Sequence, residues 1–465
     1  MKKRPNILIF MTDQQHAETI GQHGLCQTPN LNALMRDGIT FSQAYTSCPM
    51  CTPARASALT GMHPHQHRML QNSHSPLDFQ KRLDPHIDTI ATALSREGYR
   101  TVYAGKWHIG DTAPTLNGFD QELDLNPKPT DYAVTDQVMI QDRQGEHTLA
   151  ATASYDYQQS GVFQLSEAVN NWIDREATHD QPFFMFASCL EPHVPWIVPE
   201  PYASMYDPTS MQTWDNYDDD YTDKPLTYRK HYSNVNFCRI QHDWSSMSRA
   251  LAKYYGTISM IDDAFGTIIH KLDQQGLLED TIILFTSDHG ECMGRHGLIG
   301  KNELAIDDII RVPLVAYWKS HWANKTCDQL VTLTDLFNTV MELTKTEIRT
   351  DLDSHSFVPA LLGQSFRGHD YVIVQHHGAT INLNTIRAIR TAEYKYVYRA
   401  HEIDELYDLR RDPGEMINRV HDPEYHDRLW ELREQLLDWA RRNRDFALRG
   451  MEQSFVNFDG GTIAP

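Results

Sequence analysis

Short apolar runs that read as strands alternate with helix-like segments through the first two thirds of this 465-residue chain. That alternation constrains the fold more than any other feature, because parallel strands need helical crossovers between them. Asn6 to Met11 is a strand-like run. Thr28-Pro29 opens a helix, with Thr28 as its cap, and Asp37-Gly38 closes it. Strands follow at Gly98 to Ala104, Pro182 to Ala187, Thr281 to Thr286 and Pro313 to Trp318, with a long helix from Ser248 to Leu272 and another from Leu336 to Leu343. The expected architecture is α/β, a large mostly parallel sheet sandwiched by helices. Beyond about Lys345 the pattern changes. Tyr371 to Gln375, Thr385 to Arg390 and Tyr394 to Arg399 read as short antiparallel strands, and Tyr425 to Arg442 as a helix. The predicted domains are therefore 1–345, α/β, and 346–465, a smaller α+β subdomain carrying an antiparallel sheet. Tyr206 to Asp223, rich in aromatics and acids, has no clear period and reads as an insertion or lid loop.

Lys and Arg total 42 against 62 Asp and Glu, a formal charge of −20, which argues against a nucleic-acid partner but leaves room for a local anion pocket. No apolar stretch approaches the roughly 20 residues of a membrane span. The run after Met1-Lys-Lys-Arg-Pro is too short for a signal peptide and lacks a cleavage site. The expected location is cytoplasmic, or periplasmic or secreted if a leader has been removed. The seven cysteines (Cys26, Cys48, Cys51, Cys189, Cys238, Cys292 and Cys327) are scattered and odd in number, unlike a disulfide framework.

Ligands of open α/β sheets sit beyond the carboxyl ends of the strands. Those ends here carry Asp13-Gln14, Lys106 and His108, Glu191 and His193, and Asp288-His289 with Lys301 beyond. Asp13, Gln14, Asp288 and His289 offer two carboxylates, an amide oxygen and an imidazole. That set suits Ca²⁺, Mg²⁺ or Mn²⁺, whereas structural zinc favours more Cys and His. Asp262 and Asp263, inside the long helix, read as solvated or capping groups, and His63, His65 and His67 as loop residues near the site mouth. Cys51-Thr-Pro-Ala-Arg55 places a cysteine at a helix start, where the dipole favours an anion. From the residues alone, Cys51 is either half of a Cys48-x-x-Cys51 redox or zinc pair, or a buried structural cysteine, or a functional residue.

The Cys-x-Pro-x-Arg string resembles the signature of the type I, formylglycine-dependent sulfatases of the alkaline phosphatase superfamily. Further segments match in order: Pro5 to Gln14, Thr28 to Leu34, Gly38 to Tyr45, Gly105-Lys-Trp-His108, Thr286-Ser-Asp-His-Gly-Glu291 with Gly300-Lys301, and Leu406-Tyr-Asp-Leu with Asp412-Pro-Gly-Glu415. The resemblance implies a sulfuric ester hydrolase acting on a small-molecule or saccharide sulfate ester. It implies that Cys51 is oxidised to formylglycine by a maturation enzyme and serves as nucleophile and metal ligand. Asp13, Gln14, Asp288 and His289 would hold the cation, most readily Ca²⁺. Arg55 would hold the nucleophile, Lys106 and Lys301 would clamp sulfate oxygens, His108 would assist release, and His193 would protonate the leaving alcohol. Asn72 would contact substrate. Many relatives carry Asp where Gln14 stands and Asn where His289 stands. The versions here resemble phosphonate monoester and phosphodiester hydrolases of the same scaffold, which form the alternative reading, whereas Gly105 to His108 resembles sulfatases. The net charge disfavours a long polyanionic substrate.

Overall fold

In the computed structural model, which describes residues 4–73, 80–142, 145–176, 181–230, 243–301, 303–322, 324–378 and 384–459, every residue of the Asn6–Thr12 strand is buried. Its side chains alternate between two separate cores. Leu8 and Phe10 enter one, where Phe10 packs on Phe285 and on Phe265 of the long helix. Ile7, Ile9 and Met11 enter the other, with Leu59, Leu336 and Phe337. Helices cover both faces, so the strand reads as a continuous apolar run.

This strand pairs in parallel with Thr281–Ser287 and with Phe183–Ser188. The full sheet has eight strands in the order Lys325–Cys327, Ile39–Phe41, Leu314–Trp318, Thr281–Ser287, Asn6–Thr12, Phe183–Ser188, Arg100–Gly105, Gln121–Leu123. Leu314–Trp318 runs antiparallel to both neighbours, and the remaining pairs are parallel. The expected mostly parallel α/β sheet is thus present. The C-terminal strands Tyr371–His377, Thr385–Thr391 and Tyr394–Arg399 form the expected antiparallel sheet, and Glu405–Asp408 adds a fourth strand. Helix His426–Asn443 packs against it through Leu432, Leu436 and Trp439. A hairpin of Val134–Asp142 and Gly145–Ala153, joined by Trp196–Pro199, makes a further three-stranded sheet that the sequence reading did not foresee. None of the described helices is long and apolar enough to cross a membrane.

Several local expectations change. Helix Pro29–Asp37 does begin with Pro29, but Thr28 makes no capping bond. The cap comes from across the chain: Asp262, fully buried in helix Trp244–Gln274, accepts from the backbone N–H of Asn30 at 2.9 Å and of Leu31 at 2.8 Å. Asp262 is therefore a capping group rather than a solvated one. His63, His65 and His67 are buried, not loop residues at a site mouth. His67 bonds Ser57, while His65 bonds Gln375 and the carbonyl of Asn443, tying the C-terminal sheet and helix to the segment after Cys51–Thr60. The 206–223 segment packs down through Tyr217 and Asn216, and Trp214 donates to the Met293 carbonyl at 2.8 Å. It lines a separate cavity with Arg295 and Arg311, away from the residues of the main one.

Candidate active site

The strand register builds the site. Thr12 pairs with Ser287, so Asp13 and Asp288 leave adjacent strand ends side by side. Gly105 pairs with Ser188, which brings Lys106 to the same edge. The approach is close: a Cβ on Gly105 (φ +91°) would lie 2.0 Å from the Ser188 carbonyl oxygen, so only glycine fits. Gln14 is also left-handed, at φ +68°. It is held there by its N–H donating to Asp288 Oδ1 at 3.1 Å and by the Tyr254 hydroxyl donating to its carbonyl at 2.9 Å. Above this edge lies helix Cys51–Thr60, buried along its whole length, with Cys51 as its first residue. Asn72 Oδ1 accepts from the Thr52 N–H at 3.0 Å.

Ligand atoms of Asp13, Cys51, Asp288 and His289 lie within 4.8 Å of one another, all buried. Cys51 Sγ is 3.2 Å from His289 Nε2 and 3.8 Å from Asp13 Oδ1. His289 Nδ1 lies 2.9 Å from the Gly290 carbonyl. A carbonyl only accepts, so Nδ1 carries a proton, and Nε2 faces the cluster.

Cations surround this centre. Arg55 donates to Asp288 Oδ2 at 2.8 Å and to Asp13 Oδ2 at 2.9 Å, and its third edge reaches Ser188 Oγ and the Lys106 carbonyl. The sequence reading expected Arg55 on the nucleophile; the guanidinium instead spans the two carboxylates. Lys106 Nζ donates to Asp13 Oδ2 at 2.5 Å, and Lys301 Nζ to Gln14 Oε1 at 2.5 Å. Gln14 Nε2 donates to Glu291. Burial and the neighbouring Asp13 push the Cys51 thiol up, but Lys301, Lys106 and His289 outweigh them and hold it well below its ordinary value. Burial opposes the charge on Asp13, yet Lys106, Arg55, His193 and Lys301 keep its carboxyl well below the usual range. Burial and Asp13 push the Asp288 carboxyl up despite His289 and Arg55. Two buried carboxylates, an imidazole nitrogen and a sulfur whose thiol is held low therefore converge on one point. A divalent cation there relieves the repulsion between the carboxylates, so the donor set fits one.

A cavity of about 900 Å³ opens beside the cluster. Lys106, His108, Asn72 and His193 line it. His193 Nδ1 donates to the Val194 carbonyl at 2.7 Å. His108 stands in left-handed backbone at φ +51°, where its carbonyl accepts from Thr52 Oγ1 at 2.7 Å. Cys48 is buried, unbridged and outside the cluster, and burial raises its thiol. Cys238 lies outside the described residues.

The family model named Sulfatase matches residues 5–346, and that of the N-sulphoglucosamine sulphohydrolase C-terminal region matches 294–442. The chain belongs to the sulfatase family. An uncharacterized sulfatase, YidJ, of Escherichia coli is 29% identical over 95% of this chain and 88% of its own length. An arylsulfatase of Clostridium perfringens is 27% identical over 93% and 94%. Among solved structures, the phosphonate monoester hydrolase of Agrobacterium radiobacter superposes with a TM-score of 0.79 at 24% identity, over 95% of this chain and 96% of that one. As a member of the sulfatase family this protein is a hydrolase.

For this sulfatase-family chain the structure adds residues that sequence reasoning missed. Glu291 is fully buried, accepts from the N–H of Met293 and Gly300 as well as from Gln14, and so fixes the segment between Asp288 and Lys301. Its signal was present in Asp288-His-Gly-Glu291, next to the ligands. Ser188 is a lone strand-end serine with no sequence signal, yet it receives Arg55 at 2.6 Å.

Proposed function

We propose that this protein hydrolyses a sulfate monoester to an alcohol and sulfate, with Cys51 converted to formylglycine as the nucleophile. The observation that carries the reading is the position of Cys51: first residue of a buried helix, within reach of Asp13 and His289, and ringed by Lys106, Lys301 and Arg55. Asp13, Asp288 and His289, with Gln14 beside them, would hold the cation, and Ca²⁺ is the first candidate, ahead of Mg²⁺ and Mn²⁺. A divalent ion there supplies positive charge for the sulfate oxygens and favours deprotonation of the attacking hydroxyl. Lys106 and Lys301 hold the sulfate oxygens as charge shifts in the transition state. One hydroxyl of the hydrated aldehyde attacks sulfur, and the ester oxygen leaves with a proton from His193 Nε2. The second hydroxyl gives its proton to His108, the C–O bond to sulfate breaks, and the aldehyde re-forms. Arg55 keeps both carboxylates in register, and Asn72 holds the helix start and faces substrate in the cavity. A maturation enzyme able to oxidise Cys51 is the required partner.

A second reading, a phosphonate monoester or phosphodiester hydrolase, is favoured by Gln14 and His289 and by the likeness of the fold to the Agrobacterium radiobacter enzyme. The Gly105-Lys-Trp-His108 segment favours sulfate, because it resembles sulfatases rather than those hydrolases. The test compares kcat/KM for 4-nitrophenyl sulfate and 4-nitrophenyl phenylphosphonate on protein from a modification-competent host. A higher value on the sulfate is expected; a higher value on the phosphonate selects the second reading.

A further inference from the structure

Glu191 enters the catalytic cavity at the cis Glu191–Pro192 peptide just before His193, and its backbone carbonyl accepts from the N–H of Asp13 at 3.2 Å. Among the described residues lining the cavity it is the one carboxylate. Its Oε2 is buried with no hydrogen-bond partner, and no described cation lies within ion-pair distance of it. Lys106, on the same cavity, pairs with Asp13, and Lys128 stands exposed at the cavity rim over the ring of Tyr155.

The position is built rather than incidental. Gly161 begins the helix Gly161–Glu176 and has no left-handed φ that would require glycine. A Cβ there would lie 2.7 Å from Glu191 Oε1 and 3.3 Å from Oε2. Glycine at 161 therefore makes room for the carboxylate against the positive end of the helix, where negative charge is favoured. One turn on, Gln164 donates to the Gln158 carbonyl at 2.7 Å, while its Oε1 is a second buried acceptor without a partner on the same cavity. Trp107 Nε1 is a buried donor without a partner elsewhere on the cavity lining, but Glu191 and Gln164 offer acceptors, and these suit a ligand group that donates only. An ammonium has three donors and no acceptor, whereas a hydroxyl brings acceptor lone pairs of its own.

Resting on the sulfatase reading above, we propose that Glu191, seated over Gly161 and assisted by Gln164, selects sulfate esters whose alcohol portion carries an ammonium group. Such a substrate is zwitterionic, which also lowers its repulsion by a chain of formal charge −20.

The test uses the full chain, carrying the modified Cys51 and a divalent cation, on three esters of equal reach: 2-aminoethyl, 2-hydroxyethyl and propyl sulfate. A charge-assisted hydrogen bond predicts a preference in kcat/KM for the aminoethyl ester of roughly tenfold to a hundredfold over both others. Glu191→Gln should reduce that ratio to about twofold or less, because the charge is gone while the shape remains. Gly161→Ala should reduce it as well, by displacing the carboxylate, although alanine is the better helix former. The ratio is the readout, so a general loss of activity does not imitate the effect. Equal rates on all three esters in the unsubstituted protein, or a ratio untouched by both variants, overturns the proposal and leaves the sulfatase reading standing. A preference for the hydroxyethyl ester also overturns it, assigning Glu191 to a hydroxyl. Hydrolysis of none of the sulfates, with turnover of a phosphonate ester, overturns the reading on which the proposal rests.

Discussion

At the carboxyl edge of the large sheet, Asp13, Asp288 and Cys51 share a buried space with Arg55, Lys106 and Lys301. Where the C-terminal sheet meets that domain, Asp307 and Glu415 share another with Lys395 and Arg390. Both groups are costly to bury, and both are crossed by charge-assisted hydrogen bonds. In the second, every charge has a partner of opposite sign: Lys395 bridges Asp307, at 2.9 Å, and Glu415, while Glu415 also accepts from the Asp307 N–H at 2.7 Å. Asp307 and Arg390 also line a cavity, but their charges are spent on each other. In the first, Arg55 and Lys106 occupy only the outer oxygens, Oδ2, of the two aspartates. The remaining ligand atoms converge on one point beside a cavity. Buried charge alone therefore does not mark a site; convergence of unspent donors beside an opening does.

The largest expected effect separates the two regions by chemistry. Cys51→Ala should lower kcat by something on the order of 10⁴ to 10⁶, the scale seen when a hydrolase loses its nucleophile. Steady-state assays with a chromogenic ester measure it, and activity near the unsubstituted level would break the comparison. The paired C-terminal charges should answer in stability instead. Asp445→Asn, which breaks the fully buried pair with Arg387 (Nη2 to Oδ1, 2.6 Å), should cost about 3–5 kcal/mol in denaturant unfolding. The kcat of the protein still folded should not change.

Removing the cation should move both quantities, but reversibly. Chelation should abolish turnover and lower the melting temperature, by about 2.7 kcal/mol of linkage if the ion had been at a hundredfold its Kd. Readdition of Ca²⁺, Mg²⁺ and Mn²⁺ in turn should rank the ions. A melting temperature indifferent to chelator would remove the distinction between an unfilled and a filled charge cluster. The smallest effect concerns pH. Burial, aided by Asp307 and opposed by Lys395, raises the Glu415 carboxyl from 4.5 to about 7. The folded state then binds the extra proton. Its contribution is fully present below the unfolded value near 4.5 and is lost as pH rises toward about 7. Glu415→Gln should flatten that part of the stability profile, and an unchanged slope would contradict the assignment.

The same contrast explains what was legible in the sequence. The central strands could be read because residues such as Ile7 to Phe10 are buried on both faces and must all be apolar. Site residues at their ends followed from topology, since parallel strands deliver their carboxyl ends to one edge. Contacts that depend on distant parts of the chain could not be read. Asp262 caps a helix 231 residues away, and no local signal distinguishes it from a solvated aspartate. His63, His65 and His67 resemble a metal tract by spacing, but partners such as Asn443, Gln375 and Ser57 make them structural. The role of Arg55 shifted for a related reason: the sequence shows that an arginine follows Cys51, not that two carboxylates from separate strands meet in its fork. The Val134–Ala153 hairpin escaped notice because its outward residues are exposed and mixed in polarity, so its alternation is weak.

The central claim is that the first cluster is a catalytic centre whose nucleophile is made from Cys51. The most direct measurement is the mass of the peptide spanning Cys51, on full-length protein from a host able to carry out the oxidation. The account predicts a peptide lighter by about 18 Da than the cysteine form, with hydrolytic activity rising in proportion to its abundance. A peptide of unmodified cysteine mass in fully active protein would contradict it.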